Sequence, residues 1–275
     1  MKIQLLISTM NRNDFSVLDG MNLQSSAVVI NQCGKVDRKP VEYNGQEIIW
    51  VDSAERGVSR SRNLALSNSD ADICVLCDDD ECLSDGYVQM IERAYMNLPE
   101  ADFIVFNIDR ISWNETETTF TKPKRIGNFR TYGSVHITFR REAVVNKHIR
   151  FDVRFGTGSG MYSCAEDALF CMDCHKAGLR MYTYPGILCK VSCGSSSWFH
   201  GYDEEYFYNT GAYLSAAFPT LRHIMKWYYP IRCRKISNLG IKAIIGSIDD
   251  GMRGYKKGMN YQQYHNAVLI RPNEG

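Results

Sequence analysis

The stretch Ile73-Cys74-Val75-Leu76-Cys77-Asp78-Asp79-Asp80-Glu81 constrains this chain more than any other. Five apolar residues in a row read as a strand buried on both faces, and such strands belong to parallel sheets covered by helices on either side. Three aspartates then fall where the strand leaves the sheet. Carboxylates crowded together repel one another unless a cation lies among them, and an all-oxygen donor set suits Mg²⁺ or Mn²⁺. The carboxyl ends of strands in open α/β sheets are also where ligands bind. The acidic exit therefore points to a metal holding a phosphorylated ligand. The plain alternative is a solvated acidic turn ahead of a helix.

The rest of the chain supplies partners for such a strand. Ile3 to Ile7, Ala27 to Ile30, Glu47 to Asp52 and Asp102 to Asn107 read as strands. Helical patterns alternate with them: Phe15, Leu18, Met21 and Leu23 line one face of a helix, a turn with Gly57 opens another at Leu64-Ala65-Leu66, and Met90 to Leu98 follows. Alternation of this kind implies βαβ units and a doubly wound α/β fold. Further on, Val135 to Arg141 reads as a strand, residues 112 to 131 as a hairpin or long loop, and Phe151 to Gly160, with three glycines, as a loop shaped around a ligand. Glu166-Asp167 open a helix that stops at Gly178, and Met181 to Tyr184 and Ile187 to Val191 are two more strands. Ser192 to Tyr202 reads as a loop over the site, and the chain is helical from Tyr206.

At 275 residues the chain fits one large domain with a helical appendage. Its 32 Lys and Arg balance 31 Asp and Glu, so charge gives no reason to expect nucleic acid as a partner. The N-terminal apolar run is too short for a signal-peptide core, and no segment reaches the roughly 20 apolar residues of a membrane span. A cytoplasmic protein with reduced core thiols is expected, because the ten cysteines lack the spacing of a disulfide scaffold. Cys171-x-x-Cys174-His175 matches a haem-attachment string with nothing else to support it.

Four pieces in order carry a resemblance to a known family: Ile7-Ser8-Thr9-Met10-Asn11-Arg12, Gly57-Val58-Ser59-Arg60-Ser61-Arg62-Asn63, Asp78-Asp79-Asp80, and Phe155-Gly156-x-Gly158-Ser159 with Glu166-Asp167-x-x-Phe170. They resemble the first-strand ending, the G-x-x-x-A-R-N helix start, the D-x-D metal motif, and the glycine loop with E-D-x-x-F helix of glycosyltransferase family 2. The resemblance covers about Lys2 to Pro219. It implies a GT-A, Rossmann-like fold with a mostly parallel sheet, an inverting transfer from a nucleotide sugar, and a role in surface polysaccharide synthesis. Residues 1–100 are then the nucleotide-sugar-binding part, 101–218 the acceptor-binding part of the same domain, and 219–275 a C-terminal helical extension. The family usually ends its second strand with acidic residues, where Asn31-Gln32 stand here. Their amides offer donor and acceptor to a pyrimidine edge, so a UDP-sugar is expected.

The same resemblance assigns roles. Asp80 is the direct metal ligand, and Asp78 a ribose or metal contact. Asp79, Thr9, Asn11, Asn31, Gln32 and Arg62 are placed on the donor side, where the Arg62 guanidinium suits a diphosphate. His200 is a further metal ligand or pyrophosphate contact, and Trp198 stacks on a sugar. Asp167 is the base that takes the acceptor hydroxyl proton, with Glu166 orienting the acceptor or raising Asp167 by like-charge repulsion. Each has a plain alternative: a paired surface arginine, first-turn acids favoured by a helix N-terminus, a surface histidine, a core tryptophan. A nucleotidyltransferase is the competing enzyme, but Thr9 to Asp14 lacks its glycine-rich phosphate loop. A non-catalytic sugar-nucleotide-binding protein is the competing binder.

From Arg222 to Lys242 the chain has six cations and no Asp or Glu, interleaved with aromatic and aliphatic residues. Pro230 and Gly240 break it into short helices. This pattern suits an interfacial segment on an anionic membrane, meeting a glycan or lipid-linked acceptor at the cytosolic face. Equally, the short helices pack on the core with their cations solvated.

Overall fold

The computed structural model describes residues 1–111, 119–192, 201–233 and 236–269. Its centre is a sheet in the order β3-β4-β2-β1-β5-β9-β7-β10-β6, where β1 is Ile3–Met10, β2 Ser26–Gln32, β3 Asp37–Tyr43, β4 Gln46–Ser53, β5 Ile73–Asp78, β6 Glu81–Leu83, β7 Phe103–Ile111, β8 Lys124–Arg125, β9 Ile137–Arg140 and β10 Met181–Ser192. Strands β4, β2, β1 and β5 run parallel, as do β7 and β10, and β8 pairs the edge of β10. The apolar runs of the central strands are buried on both faces by alternation. Ile3, Leu5, Ile7, Val29, Ile73 and Val75 face one core cluster, and Leu6, Val28, Ile30, Cys74 and Leu76 the other. Register brings Ser8 beside Asp78, Thr9 beside Asn31, and Asn31 beside Asp52, so the candidate donor residues line one end of the sheet.

Three expectations change. The segment from Phe15 to Leu23 forms only a 3₁₀ turn at Ser16–Leu18. Asp14 accepts from the Ser16 amide and hydroxyl, and Asn22 is left-handed, so local polar bonds displace the helix while Leu18 and Met21 still reach the core. Val135 to Arg141 divides into a 3₁₀ turn at Ser134–His136 and β9, which runs antiparallel between β5 and β7. The two strands expected from Met181 to Val191 are one, kinked where Pro185 and the left-handed Gly186 sit.

Helices α1 (Val58–Asn68), α2 (Tyr87–Asn97), α3 (Arg141–Val145) and α4 (Glu166–Lys176) follow the strands. α5 (Glu204–Ala217), α6 (Arg222–Met225), α7 (Tyr228–Cys233), α8 (Ile241–Lys257) and α9 (Tyr261–Leu269) complete the described chain. α5 and α8 pack backbone to backbone, because a Cβ on Gly211 would meet the Ile248 carbonyl and one on Gly251 the Tyr208 carbonyl. Phe155 and Tyr162 of the glycine loop join Phe207, Tyr208, Ile244 and Ile248 in a third core cluster, which ties these helices to the rim of the site. Among the described residues, no helix is long and apolar enough to cross a membrane.

Candidate active site

The first turns of α1 tie three walls together. Ser59 Oγ donates to the Phe155 carbonyl, and Ser61 Oγ to Ser8 Oγ on β1. Asn63 donates through Nδ2 to the Phe151 carbonyl and accepts the Phe151 amide on Oδ1. The glycine loop can come this close only because it lacks side chains. A Cβ on Gly156, whose φ is 98°, would lie 2.6 Å from Val58 Cγ1 and 3.0 Å from Glu166 Cδ. Gly57 and Gly158 likewise leave no room for side chains between them, and the Val58 amide donates to the Thr157 carbonyl.

One turn into α1, Arg62 enters the space these contacts enclose. Its side chain is 2% exposed and binds three carboxylates: Asp167 Oδ1 at 2.6 Å, Asp78 Oδ1 at 3.0 Å and Glu166 Oε1 at 3.2 Å. Burial alone disfavours its charge, but Asp167, Asp78 and Glu166 more than reverse this and hold it protonated. Glu166 and Asp167 occupy the first turn of α4, where the helix dipole favours negative charge. Burial, and then the charge of Asp167, nevertheless push Glu166 up to about 7 against the pull of Arg62. Burial also raises Asp167, although Arg62 and the Ser134 amide, which donates to Oδ2 at 2.9 Å, oppose it. Ser134 Oγ donates in turn to Asp78 Oδ2 at 3.3 Å.

The aspartates at the exit of β5 point in different directions. Asp78 faces Arg62. Asp79 accepts from Thr9 Oγ1 and forms a 2.9 Å ion pair with Arg12, which also reaches Thr9. Asp80 is exposed, and burial of its carboxyl together with the charges of Asp78 and Asp79 raises it. Glu81 lies beneath them, 2% exposed, and one oxygen accepts the Asp78 amide at 2.8 Å. Burial and then the charge of Asp78 raise it well above the carboxylate range. Among the described residues no three His, Cys, Asp or Glu side chains form a ready-made metal cage. The donor set still fits a hard cation, since the Asp80 carboxyl would supply oxygen ligands and a cation would relieve its repulsion with Asp78.

At the end of β2 the expected base contacts are otherwise engaged. Asn31 accepts the Arg12 amide and donates to the Arg12 carbonyl and to Asp52. Gln32 is 5% exposed, accepts the Gly57 amide at 2.7 Å and donates to the Thr9 carbonyl. Both amides therefore hold main chain at the exits of β1 and β4. Asp52, at the end of β4, is the carboxylate at this corner. Burial acts to raise it, but hydrogen bonds from Asn31 and from Trp50 Nε1 prevail and keep it ionised below the ordinary range. Asn11 is exposed at the exit of β1 in a left-handed conformation. Sequence reasoning missed Asp52, Ser134 and the Arg12–Asp79 pair. Asp52 was legible as an acid closing a strand beside β2; the other two carried no local signal. His200 and Trp198 lie outside the described residues.

A sheet with donor-side residues at its parallel carboxyl ends, an acidic strand exit, and a glycine loop leading to a helix with two first-turn acids defines the GT-A glycosyltransferase fold. Residues 37–161 match the model of Glycosyl transferase family 2, in agreement with the resemblance drawn from the sequence. That span takes in the Gly57 to Asn63 motif, the aspartates and the glycine loop, and it lies between the first-strand piece and the Glu166-Asp167 helix. S. aureus TarS 1-349 is similar at a TM-score of 0.56 and 11% identity, over 95% of this chain and 93% of that one. The same fragment in complex with UDP-GlcNAc gives 0.56 at 12% identity with the same coverage. Against the longer S. aureus TarS structure the figures are 0.56 and 13%, over 93% of this chain but 43% of that one. Identities this low establish the shared fold alone. No curated protein matches. The family match over residues 37–161 supports glycosyl transfer as the activity.

Proposed function

We propose that the protein is an inverting glycosyltransferase that moves a sugar from a UDP-sugar to a hydroxyl of a glycan or lipid-linked acceptor during surface polysaccharide synthesis. The observation that carries this reading is Arg62, one buried cation bound at once to Asp78 at the donor strand and to Glu166 and Asp167 at the acceptor helix. Residues 1–100 hold the donor, 101–218 the acceptor, and 219–275 form the helical extension. Thr9, Asn11 and Asp79 lie at the nucleotide end, with Asn31 and Gln32 shaping it and Asp52 completing its polar edge.

In the proposed reaction the acceptor oxygen attacks the anomeric carbon as the bond from that carbon to the β-phosphate oxygen breaks. UDP leaves on the opposite face, so one displacement inverts the centre. Asp167 takes the hydroxyl proton, and its charge is held in place by Arg62 and the Ser134 amide. Arg62, fixed on the donor side as well, favours negative charge on the departing diphosphate. Asp80 and Asp78, with His200 as a further candidate, would hold Mn²⁺ or Mg²⁺, which when bound supplies Lewis-acid stabilisation of that diphosphate. Three carboxylates around a committed cation, with no glycine-rich phosphate loop at the exit of β1, favour glycosyl over nucleotidyl transfer.

A thermal-shift screen of nucleotide sugars with Mn²⁺ tests the reading, since a donor that binds only the folded state raises Tm by mass action. A UDP-sugar should raise Tm and then be consumed when an acceptor is supplied. No shift with any nucleotide sugar would overturn it.

A further inference from the structure

Fourteen large apolar side chains are exposed among the described residues, and seven of them fall between Leu221 and Ile241. Their spacing is not random. α6 and α7 are joined by one tight turn, with the Lys226 amide donating to the Arg222 carbonyl and the Trp227 amide to the Ile224 carbonyl, so residues 222–233 wind almost as one helix. Met225, Tyr229 and Cys233, at intervals of four, pack into the third core cluster. Ile224, Trp227, Tyr228 and Ile231 repeat at i, i+3, i+4 and i+7, which makes a second apolar stripe, and these four are 51–72% exposed. Ile236 and Ile241, 54% and 57% exposed, follow in the same segment. A helix apolar on two sides, one of them in solvent, is missing a partner.

The charge around the stripe identifies that partner. From Pro219 to Ile248 the sequence has no Asp or Glu, against six cations. Arg232 is exposed and stacks over Tyr228 while donating to its hydroxyl at 3.1 Å. Lys226 reaches back to Asp249 at 2.8 Å with its ammonium 5.7 Å from the Trp227 ring, and Lys242 is exposed beside Ile241. Aromatic residues with cations at their edge match a bilayer interface, where rings sit at headgroup level and Lys and Arg meet anionic lipid. We propose that this face, built by Ile224, Trp227, Tyr228, Ile231, Ile236 and Ile241, docks the protein on an anionic lipid bilayer. Anchorage to the core sets where the bilayer lies: Ser237 Oγ donates to the Tyr202 carbonyl, just before α5, so the docking face borders the acceptor half. The proposal goes beyond the glycosyl-transfer reading and does not depend on it.

Co-sedimentation of the full chain with vesicles tests it without any activity measurement. Vesicles rich in phosphatidylglycerol should bind the protein at low salt, phosphatidylcholine vesicles at least tenfold more weakly, and 0.5 M NaCl should weaken the anionic binding. The triple variant Ile224→Ser/Trp227→Ser/Ile231→Ser, confirmed as folded by circular dichroism and an unchanged Tm, should lose at least tenfold in vesicle affinity, and Arg232→Glu/Lys242→Glu should lose binding to anionic vesicles only. Three results would overturn the proposal: no binding to anionic vesicles at low salt, undiminished binding by the folded triple variant, or a wild-type dimer in solution that the triple variant converts to monomer, which would assign the stripe to a second copy.

Discussion

Arg62 and Asp167 meet in a 2.6 Å ion pair that joins α1 to the first turn of α4. The same guanidinium holds Asp78 from its other nitrogen, so a single side chain spans the exit of β5 and the start of α4. Breaking a buried pair from one side leaves charges uncompensated. Arg62→Ala should therefore lower kcat at least 100-fold and destabilise the fold by about 3 kcal/mol, read from steady-state kinetics and urea unfolding. Arg62→Lys should recover stability better than turnover, because an ammonium lacks the planar fork that reaches three carboxylates. Equal recovery of both would confine Arg62 to a structural role.

Asp167→Asn should abolish transfer while donor binding survives. A base acts in the transition state and contributes little to ground-state affinity, so kcat should fall about 10²- to 10⁴-fold with donor Kd nearly unchanged. The variant keeps one oxygen, for Arg62 or for the Ser134 amide but not for both, so an unchanged donor Kd is what separates loss of the base from loss of that second bond. Near-normal kcat in single-turnover experiments would move the base to another residue, with Glu166 first in line.

Much of this site was legible before any coordinates. The apolar run of β5 forces a buried strand, a buried strand forces its aspartates to one end of the sheet, and the Arg62-Asn63 motif lies one turn into the helix that precedes that strand. What could not be read is how polar side chains divide between ligand and protein. Asn31 and Gln32 sit at the right place, yet their amides are used on the Arg12 and Gly57 main chain, and nothing local in a sequence distinguishes those uses. The β3–β4 hairpin was legible and went unread. Asn44-Gly45, both at positive φ, is a tight-turn signal, but the charged Asp37–Tyr43 strand with Pro40 looks like loop because it forms the sheet edge, where Pro and charge are tolerated. The helix expected near Phe15 failed because the bonds from Ser16 to Asp14 outweigh an apolar period of only a few residues.

The raised Glu166 carboxyl gives the stability a pH signature. Its folded value of about 7 lies above the ordinary 4.5, so between those pH values the folded state keeps a proton that the unfolded chain releases. Stability from this group is complete below about pH 4.5 and is lost as pH rises through 7, by at most about 3 kcal/mol. Glu166→Gln fixes the neutral form. Its stability relative to wild type should climb between pH 5 and pH 8 in urea titrations. A difference between the two proteins that is flat with pH would show Glu166 to be ionised throughout.

Asp80 gives the sharpest separation of function from fold. It is exposed, so Asp80→Asn should alter stability by less than about 0.5 kcal/mol. As the proposed metal ligand it should nevertheless govern turnover: kcat/KM in Mn²⁺ should fall at least 100-fold, and excess chelator should silence the wild type to a similar level. The Mn²⁺-dependent part of the donor-induced Tm rise should vanish with it, a readout that does not need an acceptor. Asp79→Asn provides the internal comparison. Its carboxylate is held by Thr9 and Arg12, so that variant should disturb the exit of β1 and lower Tm while leaving more of the metal response than Asp80→Asn does. If Asp80→Asn retains full activity, or wild-type turnover persists in chelator, the aspartates at the end of β5 serve only the fold and the reaction proceeds without a bound cation.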